Sequence, residues 1–332
     1  MTASEIRSLE EVFEYDTALV FGIGGGGDVV GTVPTARLLE LHGVDCIIGG
    51  IAWERVPHDP KPGPRSFDEI DYIDEVSPTV GLVSPETVTS DDYSVEFTET
   101  KVAEHYSKTS ESESGSEPEP DLDGFDVALI DITEGVDAVT EGIDEFCDSL
   151  GVDLVVGTDS GGDALAVGDE EGLKSPIADS FSMLALTESE VDSVLGVFGY
   201  GSDGELSLDE LDAGVERAAE RDGLLGSWGL SRRVVREMDS LLDDVNTEAS
   251  RLPVEAAEGD LGRRQIRGGS REVEMTPAST VTFYFSPSSV AETSGGVSAV
   301  RSTDGFEDAV ESLTREGFTT EIEIENEKAR HL

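Results

Sequence analysis

Three times along the chain an apolar run of strand length breaks at a turn of glycine and aspartate, and a helical pattern follows. The runs are residues 18–23 (ALVFGI), 152–157 (VDLVVG) and 194–200 (VLGVFGY). Short runs that are apolar on both faces fit parallel strands covered by helices on each side. After the first run, Thr32 is a cap, Pro34 fits a first turn, Ala36, Leu38, Leu39 and Leu41 form an apolar stripe, and Gly43 stops the helix. Residues 44–51 (VDCIIGGI) then read as a second strand, which makes a right-handed strand–helix–strand crossover. Further on, the sequence predicts a strand at 126–132, a helix at 139–150 closed by Gly151, and helices at 177–186 and 232–245. Ser207 with Glu210 three residues later is a capping box for a helix at 208–219. The expectation is an α/β fold, a Rossmann-like open, mostly parallel sheet with helices on both faces.

Residues 280–285 (TVTFYF), a helix near 306–314 and the alternating stretch FTTEIEIE could complete this sheet or add a small C-terminal β-rich annex. The reading is one domain over 1–332 with its core at about 16–290 and an extension at 291–332. Residues 107–121 (SKTSESESGSEPEPD) contain no apolar side chain and are expected to be a disordered acidic insertion.

Charge narrows the setting. Against 73 Asp+Glu stand 22 Lys+Arg, a formal charge of −51, and only five of the cations are lysines (Lys61, Lys101, Lys108, Lys174 and Lys328). Such a coat destabilises a compact state unless it is screened. Molar salt shortens the Debye length to about 3 Å, so the coat is expected to be an adaptation to a salt-rich cytoplasm. A general electrostatic grip on nucleic acid or anionic lipid needs clustered Lys/Arg, so neither partner is expected. Cys46 and Cys147 lie in apolar runs with no motif spacing, which fits reduced thiols. There is no run of 18 apolar residues and no secretory leader pattern at the N-terminus, so a cytoplasmic protein is expected.

The turns carry the chemistry. Gly24, Gly25, Gly26 and Gly27 follow the first strand and precede Asp28; consecutive glycines let backbone amides converge on an anion, and phosphate is the natural guest. Gly22, Gly24 and Gly27 also satisfy the dinucleotide fingerprint, with Glu54 as a ribose-binding acid, but so many glycines satisfy almost any glycine pattern and the helix is expected only from Thr32. The second turn holds Asp159, Gly161, Gly162 and Asp163, and the third holds Ser202 and Asp203. Hard oxygen ligands at strand ends suit Mg²⁺, with Asp28, Asp159 and Asp163 as ligands; the alternative is solvated or turn-capping aspartate. All three turns are expected on the carboxyl edge of the sheet, where ligands of open α/β folds bind.

Arginine is scarce yet gathers at Arg263, Arg264, Arg267 and Arg271 and at Arg232, Arg233 and Arg236. Its planar fork suits phosphate, though structural pairing with acidic neighbours explains it equally. His58 could act as an acid or base, but a lone loop histidine is more often without such a role. No Ser-His-Asp order, zinc spacing or Walker lysine is present.

GIGGGGDVVGT with the downstream WER and DPKPGP, then DSGGDALAVGDEEGLKSPIADS, FGYGSDGEL, SRRVVREMDSLLDDVNTEAS and TFYF, resembles an uncharacterised archaeal family known only as a domain of unknown function, in a haloarchaeal member. The resemblance spans about residues 16–290 and implies an α/β protein whose Gly/Asp motifs recur as a set, without implying a reaction. From the residues, the leading expectation is a protein that binds a phosphorylated small molecule, nucleotide or sugar phosphate. Any catalysis would be Mg²⁺-assisted transfer, with Asp159, Asp163, Arg267 and Arg271 as catalytic residues and Gly24–Gly27, Gly161, Gly162, Ser202 and Asp203 lining the ligand. A non-catalytic nucleotide-sensing module and an NAD(P)-dependent oxidoreductase are the alternatives.

Overall fold

Successive residues along the central strands enter two different cores, the signature of a sheet buried on both faces. Leu19, Phe21, Val155, Leu195 and Val197 pack on one side, whereas Ala18, Val20, Leu154, Val156, Val194 and Phe198 pack on the other. The computed structural model describes residues 6–111 and 124–330. In chain order it contains β1 (Thr17–Gly22), α1 (Asp28–Glu40), β2 (Asp45–Ile51), β3 (Ile70–Asp71), β4 (Asp74–Glu75), β5 (Val80–Leu82), β6 (Val88–Thr89), α2 (Thr98–Glu111), β7 (Asp126–Ile130), α3 (Val136–Leu150) and β8 (Leu154–Ser160). There follow α4 (Pro176–Glu188), β9 (Asp192–Phe198), α5 (Leu208–Ala219), β10 (Leu224–Gly229), α6 (Arg232–Asp244), α7 (Glu248–Ala257), β11 (Gly262–Ile266), β12 (Arg271–Met275) and β13 (Val281–Phe285). The last elements are α8 (Pro287–Ala291), α9 (Gly295–Val300), α10 (Phe306–Glu316) and α11 (Glu321–Ala329).

Nine strands form the main sheet in the order β10-β13-β9-β8-β1-β2-β7-β5-β4. The five central strands are parallel, and the antiparallel β13 and β5 join on the two sides. The fold is therefore the mixed α/β architecture expected, consistent with a Rossmann-like sheet. Because β1, β2, β7, β8 and β9 run the same way, their carboxyl ends share one edge.

Several local expectations change. Helix α1 begins at Asp28, directly after Gly27, and Thr32 lies inside it with its hydroxyl donating to the Val29 carbonyl at 2.6 Å. Strand β8 runs on through Asp159 and Ser160, so both residues stand on the strand rather than in the turn. The alternating EIEIE sequence is helical in α11, because Thr320 and Glu323 form a capping box that outweighs its period of two. No strand follows Phe285 among the described residues, while β13 joins the main sheet and β11 with β12 makes a separate hairpin. Residues 107–111 of the acidic stretch end α2, and 112–121 lie outside the described residues. Among the described residues no helix is long and apolar enough to cross a membrane.

Candidate functional site

At the carboxyl edge the second and third turns meet. Gly161 and Gly162 adopt φ of +133° and +121°, a region open essentially to glycine alone. A Cβ at Gly161 would lie 2.1 Å from Asp203 Oδ1, so the missing side chain is what admits the Asp203 carboxylate. The Gly201 amide donates to the Gly161 carbonyl at 2.7 Å and ties the two turns together.

That junction gathers Asp163, Asp203 and Glu205, all more than nine-tenths buried, with one oxygen from each within 4.8 Å of the others. This triad could hold a metal ion. Its partners fix its orientation. The Ser175 hydroxyl donates to Asp163 Oδ2 at 2.8 Å and to Glu205 Oε2 at 3.2 Å. Arg271 donates to Glu205 Oε1 and to the Asp203 carbonyl, each at 3.1 Å, and the Glu205 amide donates to Asp203 Oδ2 at 2.9 Å.

Around the triad lies more acid than cation. Burial, with Asp163 as the leading neighbour, pushes the carboxyls of Asp159, Asp179 and Asp203 well above the usual carboxylate range. Burial and Asp163 also push Asp28 and Glu205 up to about 7, against the pull of Arg55 on the first and Arg271 on the second. Asp163 is thus the acidic neighbour common to Asp28, Asp159, Asp179, Asp203 and Glu205. Asp159 Oδ2 accepts the Ala164 amide at 3.0 Å and so anchors the segment that carries Asp163. Among the described residues, the buried Asp179 Oδ2, Thr158 Oγ1, Ser160 Oγ and Ser202 Oγ have no hydrogen-bond partner. Buried polar atoms are rarely left so.

The first turn is more committed than its glycines suggest. The Gly24 amide donates to Asp28 Oδ2 at 3.0 Å and the Gly26 amide to the Trp53 carbonyl at 3.0 Å. Gly25 packs against Trp53 and Arg55, and Gly27 faces Thr247. Two of the four glycine amides are therefore used internally, and a carboxylate occupies the start of α1 where a pyrophosphate would sit. Glu54 is also engaged, accepting from both the Thr98 amide and its hydroxyl at the start of α2. These contacts argue against the dinucleotide arrangement.

Of the arginines, Arg271 reaches the triad, and the exposed Arg267 at the tip of the β11–β12 hairpin acts on the Asp28 carboxylate. Arg263 pairs with Glu272 and Glu274, Arg264 pairs with Asp260, and Arg232, Arg233 and Arg236 are exposed on α6. His58 is exposed, and the adjoining Asp59 is held by Arg65. Sequence reasoning missed Asp179, Arg55 and Glu321. Arg55 stacks on Trp53 at 4.4 Å and donates to the Gly24 carbonyl. Glu321 accepts the Ile177 and Ala178 amides at 3.0 Å at the start of α4, and burial lifts its carboxyl to about 7 against the pull of Arg55. The sequence signal for Asp179 was its place in the first turn after Pro176; for Glu321 there was none beyond its capping box.

A family model described as "Protein of unknown function (DUF1152)" matches residues 19–329, so the match runs past β13 and takes in the helices that carry Glu321. No curated protein and no solved structure matches the chain.

Proposed function

The chain belongs to the DUF1152 family, and on that premise we propose that its cleft binds Mg²⁺ together with a phosphorylated small molecule, a nucleotide or sugar phosphate. The observation that carries the reading is the convergence of Asp163, Asp203 and Glu205 inside a buried, over-acidic pocket. Three carboxylates so placed repel one another and favour their neutral forms unless a cation lies among them. Mg²⁺ binds few carboxylates and leaves positions for water and phosphate oxygens, which is how an acidic pocket can accept an anionic ligand.

When bound, Mg²⁺ would supply charge neutralisation for those phosphate oxygens. The chain's own residues do the rest. Asp159 and Asp163 orient the metal side of the pocket, and Asp28 adds negative charge beside it. Arg267, free of side-chain ion pairs among the described residues, offsets charge on the transferred group, while Arg271 does so less directly because it also holds Glu205. Gly161 and Gly162 bring the turn close, Ser202 and Asp203 close the far side, and the amides of Gly25 and Gly27 remain for a ligand oxygen. The acidic coat supports a salt-rich cytoplasm as the working environment.

The test is thermal melting of the full chain in molar KCl, with and without Mg²⁺, against nucleotides, sugar phosphates and NAD(P). Stabilisation that needs both metal and phosphate ligand supports a metal-dependent transferase. A shift with ligand alone supports a sensor, and a shift with NAD(P) alone an oxidoreductase. If no phosphate compound shifts the transition, the proposal fails.

A further inference from the structure

We infer that the narrow cleft between α4, α9 and the turn after β8 binds a primary ammonium group on a short alkyl chain, beside the acidic triad. This deepens the reading above by giving the ligand an amine, and it rests on that reading only for the neighbouring metal ion.

The cleft is narrow, leaving about 20 Å³ for the centre of a water-sized group such as an ammonium head, opens to solvent, and is walled by Leu173, Met183, Val297 and Phe318 with Asp163 and Asp179. No lysine, arginine or histidine lines it. Asp179 is 6% exposed, and its Oδ2 has no hydrogen-bond donor among the described residues. The nearest amide donors, those of Ile177 and Ala178 at the start of α4, are given to Glu321. The titratable groups acting most on Asp179 are Asp163, Asp159, Asp28 and Glu321, all carboxyls and none a base. Arg55, which acts on Asp28 and Glu321, directs a guanidinium nitrogen to the Gly24 carbonyl.

A buried acceptor without a donor, ringed by acids and walled by apolar side chains, calls for a cation that brings its own N–H groups. A second divalent ion fits poorly, because it needs several oxygens close together and Asp179 belongs to no such group among the described residues. An alkylammonium fits better. Its three N–H donors can meet Asp179 Oδ2, Asp163 and the Ser180 side chain on the same wall, while its chain lies against Met183 and Phe318. Gly296 keeps this wall open, since a Cβ there would come within 2.5 Å of Ser180 Oγ.

Calorimetric titration of the full chain in KCl with propylammonium chloride tests the inference, with propan-1-ol and tetramethylammonium as controls. Mn²⁺ binding is followed in parallel by electron paramagnetic resonance. Saturable propylammonium binding is expected, weakened at least about tenfold in Asp179→Asn, in line with loss of a charge-assisted hydrogen bond. Because that substitution replaces a carboxyl whose ionised form burial and acidic neighbours already disfavour, the variant should melt no lower than the parent, and retained Mn²⁺ binding reports an intact site. Absent propylammonium binding, or equal binding by Asp179→Asn, overturns the inference. Equal binding of tetramethylammonium, which has no N–H, also overturns it. In the parent protein, saturable propylammonium binding without Mn²⁺ binding supports the ammonium site and strikes the metal reading; Mn²⁺ binding without propylammonium binding strikes the ammonium site alone.

Discussion

Glu321→Gln should make the metal-free protein more stable at alkaline pH and leave it unchanged in acid. Glu321 Oε1 accepts both the Ile177 and Ala178 amides at 3.0 Å, and the Gln carbonyl can accept the same pair, so the substitution removes the titration and keeps the contacts. Burial moves the carboxyl from 4.5 to about 7. At about 1.4 kcal/mol per pK unit that shift is worth at most roughly 3.5 kcal/mol. The sign follows from proton uptake: the folded protein keeps a proton that the unfolded chain releases. The stabilisation is complete below about pH 4.5 and is lost as pH rises through 7. At pH 8 the parent carries a buried charge that the variant lacks, and at about 2 °C per kcal/mol for a chain of this size the variant should melt roughly 4–6 °C higher. Calorimetric scans from pH 5 to 8 in molar KCl with a chelator measure this. The surface coat also disfavours folding as pH rises, so the informative quantity is the difference in slope against the exposed Glu307→Gln, which removes one charge from the coat. Parallel curves for Glu321→Gln and the parent would refute the claim that Glu321 is held neutral by burial.

Three further outcomes follow from the same geometry. Gly161→Ala places a Cβ 2.1 Å from Asp203 Oδ1 at a φ of +133°, so it should cost about 1–3 kcal/mol and weaken Mn²⁺ binding together with it, read by melting and resonance titration. Mg²⁺ at about 100 times its dissociation constant should add about 2.7 kcal/mol above the KCl plateau, and Glu205→Gln should abolish that increment. Arg65→Met leaves Asp59, which is fully buried and accepts two guanidinium hydrogen bonds at 2.7 Å, without its partner; chemical denaturation should show a loss of about 3–5 kcal/mol.

The alternation of strands and helices was legible because a parallel strand covered on both faces must be apolar throughout, and because the capping box of Ser207 and Glu210 is a local signal that the structure reproduces. Asp163 and Asp203 were legible for a related reason: glycine at positive φ beside an aspartate marks a backbone folded tightly at a strand end. What escaped was set by distance along the chain. Glu321 reaches amides 143 and 144 residues away, and no local pattern announces that. The first turn misled because its glycines were read as an open cradle, while Asp28 and Trp53 take two of the amides. Glu205 sits two residues beyond Asp203, and its carboxylate is held in the triad by Arg271, Ser175 and the Lys174 amide.

With 73 acidic residues, identity alone cannot separate a functional carboxylate from the coat. Burial does so by changing which forces act. An exposed carboxylate is hydrated and screened by salt, so one more costs little in molar KCl. A buried one is reached by neither water nor mobile ions, and its cost persists at any salt concentration. Asp159, Asp163, Asp179, Asp203 and Glu205 are all on the second side of that division, and they lie together at one edge of the sheet. Some buried carboxylates elsewhere are answered by cations, as Asp59 is by Arg65 and Glu237 by Arg37, and others by amides and hydroxyls, as Glu54 is by Thr98. Those at the sheet edge are answered mainly by backbone amides and the Ser175 hydroxyl, with Arg271 the one basic side chain bonded to any of the five among the described residues. Buried acid gathered in this way favours its neutral forms unless positive charge is added, and Asp163, Asp203 and Glu205 form the group among the described residues that could hold a metal ion.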